Sequence, residues 1–142
     1  MAKVRRIITV NAPVEKVFAY ITNPANELEW FTGICDIRGI TGNGVGQRYE
    51  FTYRMAGLPL EGESEVVEYI PNRRYVMQSR GGISSTWTWT FGWHDDGTLL
   101  SLVIELMIPV PVLSKVGEKL AMSQVEHEAG VAMTSIKDRL EC

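Results

Sequence analysis

The chain has 142 residues, 45% of them hydrophobic, and a formal net charge of −3 with a pI near 5.4. That length suits one domain, residues 1–142, around one core, and the composition excludes a disordered chain. The acidic balance leaves no electrostatic footprint for nucleic acid. No run of about 18 apolar residues exists, so no transmembrane segment is expected. The opening MAKVRRIITVNAP has only a four-residue apolar run, and a secretory signal needs a longer one. Two cysteines, Cys35 and Cys142, make no disulfide framework, which points to a reducing cytoplasm.

In chain order, residues 3–10 (KVRRIITV) read as a first strand. Asn11 is expected to cap the helix that follows, with Pro13 in its first turn. Val14, Val17, Phe18 and Ile21 recur at helical spacing on one face. Asn23-Pro24 ends that helix, and a short second helix is expected through Leu28 to Trp30. From residue 33 to 108, glycine-containing turns separate candidate strands at 34–41, 46–55, 60–69, 73–80, 84–94 and 98–108. Such regular spacing indicates an antiparallel meander. Pro109 and Pro111 end the sheet, and residues 112–140 read as a long helix.

The strand at 84–94 contains TWTWTFGW, with three of the four tryptophans. Trp87, Trp89, Phe91 and Trp93 alternate with threonines, giving one aromatic face and one hydroxyl face. Threonine rather than Lys or Arg between the rings disfavours a base-stacking platform. Tyr49, Phe51, Tyr53 and Met55 share a face of the 46–55 strand. Leu100, Leu102, Ile104, Leu106 and Ile108 share one in the last strand. One side of the sheet is therefore expected to be buried, and only the long C-terminal helix is large enough to cover it. The sheet would curl around that helix and leave an apolar space between them.

The opening ITVNAPVEKVFAYITNPANELEWF, the glycines of GNGVGQRYEF, the EVVEYIPNRRYVMQS segment and the closing IKDRLE together resemble the START/birch-pollen-allergen superfamily. The likeness is to its bacterial polyketide cyclase/dehydrase and lipid-transport branch, and it covers nearly the whole chain. The resemblance implies an α+β helix-grip fold: a seven-stranded curved antiparallel sheet around a long C-terminal helix, with two short helices after the first strand. It also implies a cavity between sheet and helix. The expected lining is Tyr49, Phe51, Tyr53, Met77, Trp87, Trp89, Phe91, Leu102 and Ile104 from the sheet. Met122, Ala129 and Met133 are expected from the helix. Ligand sites are mostly apolar and aromatic with a few polar groups, and tyrosine hydroxyls and indole N–H groups supply the latter.

Catalytic signals are sparse. His94 falls in the turn HDDG. His127 falls about 160° from the inner stripe of the last helix at about 100° per residue, so neither is expected to be essential. No zinc-ligand spacing and no nucleophile elbow occurs, and no metal or cofactor is implied. GNGVG precedes a strand and lacks the helix N-terminus that a phosphate fingerprint requires; it reads as a turn. Glu61, Glu63 and Glu65 alternate along a solvated face.

These features point to a binding protein for an apolar, lipid-like or aromatic polyketide-like molecule. One alternative is a polyketide cyclase or dehydratase, with a tyrosine such as Tyr53 as proton donor. Another is a co-chaperone-type interaction module. An ionisable residue facing the cavity would favour the enzyme. A filled or absent cavity would favour the module.

The last helix raises a problem of phase. Val125, Met133, Ile136 and Leu140 fall within about 40° of Ala129, while Leu113, Val116 and Leu120 fall on the opposite side. A break near Ser123, where Ser123-Gln-Val-Glu126 fits a capping box, would let both halves face inward. Otherwise Leu113, Val116 and Leu120 meet a second copy of the chain, as in a homodimer, or a membrane surface.

Overall fold

A computed structural model describes residues 2–81, 84–107 and 115–142, with side chains from residue 119 in the last segment. The opening strand β1 (Ala2–Val10) is followed by α1 (Val14–Ile21), a 3-10 turn (Pro24–Asn26) and α2 (Glu27–Trp30). Six strands follow: β2 (Ile34–Thr41), β3 (Arg48–Met55), β4 (Leu58–Ile70), β5 (Arg74–Gly81), β6 (Ser84–His94) and β7 (Gly97–Met107). The long helix α3 (Lys115–Glu141) closes the chain. The sheet is antiparallel throughout, in the order β1-β7-β6-β5-β4-β3-β2. This is the helix-grip architecture, with α3 packed along β1 and against α2.

The alternation read from the sequence survives in the burial. Trp87, Trp89 and Phe91 of β6 are buried, as are Leu100, Leu102, Ile104 and Leu106 of β7. Val17, Phe18 and Ile21 form the inner face of α1. Phe18 meets Phe91 edge-on at 5.0 Å and Tyr69 at 5.2 Å, which closes one end of the core. Trp93, beyond the last buried position of β6, is 87% exposed. The opposite face of β2–β5 carries an ion-pair ladder in which Arg38 meets Asp36, Glu50 and Glu61, and Arg48 meets Glu63 and Glu65. Pairs so exposed contribute little each. Their role is to keep that face wet.

Two expectations are corrected. Asn11 is not the cap of α1: Pro13 holds the N-cap in extended backbone, with no side-chain cap bond. The Asn11 backbone N–H instead donates to Glu141 Oε2 at 2.7 Å, tying the chain's start to its last helix. α3 is also unbroken through Ser123. Ser123 is an exposed residue within this helix, so no helix start is placed there. The helix leaves Leu120 60% exposed. Ile108, Pro109, Pro111 and Leu113 lie outside the described residues, as does the Val116 side chain.

Among the described residues, no helix is long and apolar enough to cross a membrane.

Candidate functional site

A cavity lies between the inner face of the sheet and the α2 and α3 helices. Its apolar wall includes Phe31, Ile34, Tyr53, Met77, Trp87, Ile104, Leu106 and Val125. Phe31 follows α2 directly and joins the aromatic cluster: its ring centroid is 4.9 Å from Trp87 and 5.5 Å from Tyr53. Trp30, 1% exposed, stacks on Phe31 from behind. The half-buried Phe51 and Leu60 complete the wall on the solvent side.

Two carboxyls enter this apolar space. Glu27 opens α2 and is only 6% exposed. The turn that presents it is fixed by Asn23, whose side chain accepts from the Ala25 N–H at 3.1 Å. The Tyr49 hydroxyl donates to Glu27 Oε2 at 2.5 Å and lies 3.2 Å from the Met77 sulfur. Burial raises the Glu27 pKa to about 7, against the opposing pull of the Tyr49 hydrogen bond. Burial and the neighbouring Glu27 push the Tyr49 hydroxyl well above its ordinary value, so Tyr49 remains a donor.

Glu128, from the inner side of α3, forms the second pair. The Tyr53 hydroxyl donates to its Oε1 at 2.5 Å. Gln124, one turn earlier, donates to Oε2 at 3.1 Å and to the Arg54 carbonyl at 2.7 Å. Gln124 also accepts from the Ala56 N–H at 2.9 Å. It thus latches α3 to the β3–β4 hairpin beside the cavity. Burial raises the Glu128 pKa, while the Tyr53 and Gln124 bonds oppose the rise. Gly33 makes the arrangement possible, because a Cβ there would run into both the Tyr53 ring and the Glu128 carboxylate. Gly62 does the same for Phe51, whose ring lies across the position a side chain would take.

The space between these walls that a water-sized molecule can reach measures about 60 Å³. That is smaller than the roughly 150 Å³ known to hold a benzene ring. A ring-bearing occupant therefore requires the walls to part, and Phe51 and Leu60 are the large side chains least held by the core.

Of the residues expected to line the cavity, Phe51, Tyr53, Met77, Trp87 and Ile104 do so. Tyr49 stands one contact behind, through Glu27 and Met77. Trp89, Phe91, Leu102, Ala129 and Met133 belong to the packed core, and Met122 packs half-buried against it. The reason for Trp89 is Trp30: the two indoles meet edge-to-face at 5.5 Å, so Trp30 fills the space above it. The reading of the sequence missed Glu27, Phe31, Ile34, Leu60, Leu106, Val125 and Glu128 as wall residues. Glu128 had a signal, since Ala121, Val125, Glu128 and Ala132 follow a three–four spacing. Glu27 had none, because a four-residue helix carries no period. His94 and His127 are both exposed, away from the cavity. Among the described residues no group of three or more His, Cys, Asp or Glu side chains is placed to hold a metal ion.

Over residues 1–141 the sequence matches the family described as polyketide cyclase / dehydrase and lipid transport. No curated protein matches the chain by sequence. Solved structures do match by shape. TTHA0849 from Thermus thermophilus superposes with a TM-score of 0.85 at 17% identity, covering 98% of this chain and 97% of its own. The Zhui aromatase/cyclase from Streptomyces sp. R1128 gives 0.80 at 17% identity, covering 99% and 93%. Ara h 8.0201 gives 0.71 at 14% identity, covering 98% and 97%. At these identities the structures show a common fold.

Proposed function

The chain belongs to the polyketide cyclase / dehydrase and lipid transport family, and we propose that it binds an apolar, ring-containing small molecule between the sheet and α3. The observation that carries this reading is the aromatic wall of Phe31, Tyr53 and Trp87 with two buried carboxyl–tyrosine pairs set into it. A purely structural core has no use for two carboxyls, because burying such groups costs several kcal/mol each. Ligand sites characteristically combine apolar walls with a few fixed polar groups. An interaction module of the co-chaperone type would instead present its apolar surface outward. The test is a polarity-sensitive apolar dye. Its emission should rise on binding the wild-type protein and should not rise with Trp87→Ala. No response from the wild-type protein to several such dyes would count against the reading.

A second reading is favoured by the Glu27–Tyr49 pair. A carboxyl with a pKa of about 7 can exchange a proton near neutral pH, which suits general acid–base chemistry. The bound molecule is then a substrate for cyclisation or dehydration. The ionised Glu27 takes a proton from the carbon beside a carbonyl, and the resulting enolate attacks a second carbonyl. The alkoxide so formed is protonated by an acid such as Glu128; the Glu128 carboxylate then takes a second proton from the carbon beside the first carbonyl, and Glu27 returns its proton to the departing hydroxyl, so water leaves and both carboxyls end as they began. Cavity walls that fold a flexible chain into this geometry supply much of the rate. Glu27→Gln should abolish turnover while leaving dye binding in place; turnover equal to wild type would remove Glu27 from the chemistry.

Leu120, exposed on the back of α3, is the described part of the proposed homodimer surface. Sedimentation at high concentration should show a dimer that Leu120→Ser disrupts. A monomer would remove that surface.

A further inference from the structure

The cavity has a pronounced charge character. Glu27 and Glu128 line it, and Glu61 stands at its edge, already engaged by Arg38 from the outer face. No Lys, Arg or His occurs among the described residues that line it. Both tyrosine protons near the cavity are committed, Tyr49's to Glu27 and Tyr53's to Glu128. Ser79 and Ser85 are bonded to each other at 2.5 Å, which commits one of their two hydroxyl protons. Glu27 uses Oε2 for Tyr49, which leaves Oε1 to face the cavity that Glu27 lines. The cavity therefore offers carboxyl oxygens to an incoming donor, and has no cationic donor of its own among the described residues.

We infer that the ligand is a ring compound presenting a hydrogen-bond donor, a hydroxyl or a protonated amine, to Glu27, and that compounds bearing a carboxylate are excluded. This rests on the binding reading above and narrows its ligand class. A donor entering beside Glu27 forms a charge-assisted hydrogen bond with the ionised carboxylate, which is stronger than one between neutral groups. An ammonium gains further from the two carboxyls and from the surrounding Phe31, Tyr53 and Trp87 rings, since aromatic walls attract organic cations. A carboxylate meets like charge with no cation to offset it, in surroundings where water screens weakly.

The experiment uses three probes with one ring in common: benzyl alcohol, benzylamine and benzoate. Each is titrated into the intact protein at about pH 8, where the second is cationic and the third anionic. Binding is followed through the indole N–H resonances of the tryptophans. The alcohol and the amine should bind, and benzoate should bind at least about tenfold more weakly, a difference of about 1.4 kcal/mol. In Glu27→Gln the gap should narrow, because the amide is neutral and offers donors. Glu128→Gln serves as the second variant, and is also expected to narrow it. Benzoate binding as tightly as the other two would overturn the inference and leave the cavity reading standing. A gap unchanged in both variants would also overturn it. Failure of all three probes to bind would overturn the inference and the binding reading together.

Discussion

Glu27 is the residue on which chemistry and stability meet. Its folded pKa of about 7 stands above the ordinary 4.5, so between those values the folded protein holds a proton the unfolded chain has released. The contribution of Glu27 to stability is thus full below about 4.5 and is lost as the pH rises through about 7, a change of roughly 3 kcal/mol over the window. Denaturant titrations of wild type and Glu27→Gln across this range should show the wild type losing that much relative to the variant. Parallel curves would mean that Glu27 is not buried as described. The tryptophans divide by role. Trp89 is wholly buried under Trp30, so Trp89→Ala should cost about 3–5 kcal/mol. Trp87 borders the cavity, and Trp87→Ala should cost clearly less while removing ligand binding. Equal losses in thermal or chemical unfolding would place both in the core. Gly33→Ala should separate Tyr53 from Glu128, because the added methyl group occupies their contact. The expected readout is weakened probe binding with a stability loss of about 1–3 kcal/mol; unaltered binding would show that this pair is not part of the site.

At the scale of elements, legibility followed periodicity. β6 was legible to the residue, 84–94, because four large rings alternate with small hydroxyl residues and only a strand places them on one face. β7 and the inner faces of β3 and α1 were legible for the same reason. α2 was seen as a short helix, yet its most consequential residue was not, since Glu27 precedes the Trp30 that marks the element and no pattern surrounds it. The phase of α3 misled in a different way. A stripe centred on Ala129 puts Leu120 on the back, and a break at Ser123 was the route to burying it. The helix instead runs on and leaves Leu120 in solvent. Ser123→Ala tests this locally. In an unbroken helix the exposed substitution should be neutral or stabilising by up to about 0.5 kcal/mol. A loss of about 1 kcal/mol would indicate the lost cap of a helix start.

For the whole molecule, a seven-stranded sheet gripping one helix leaves more inner surface than the helix can cover. α1, α2 and the aromatic side chains take up most of the remainder, and what is left is the cavity around Glu27 and Glu128. The sequence made the sheet, its buried face and the covering helix readable, because each repeats a physical period. It could not show which rings would fill the gap and which would border it, because that depends on Trp30 reaching across from a segment with no period of its own. The central claim is that the gap is a ligand site rather than a packing remainder. Native mass spectrometry of the freshly purified protein tests it most directly. A mass above that of the chain, lost on mild activation and reduced in Trp87→Ala, is the expected result. A bare chain mass that stays unchanged when apolar ring compounds are added would contradict the claim.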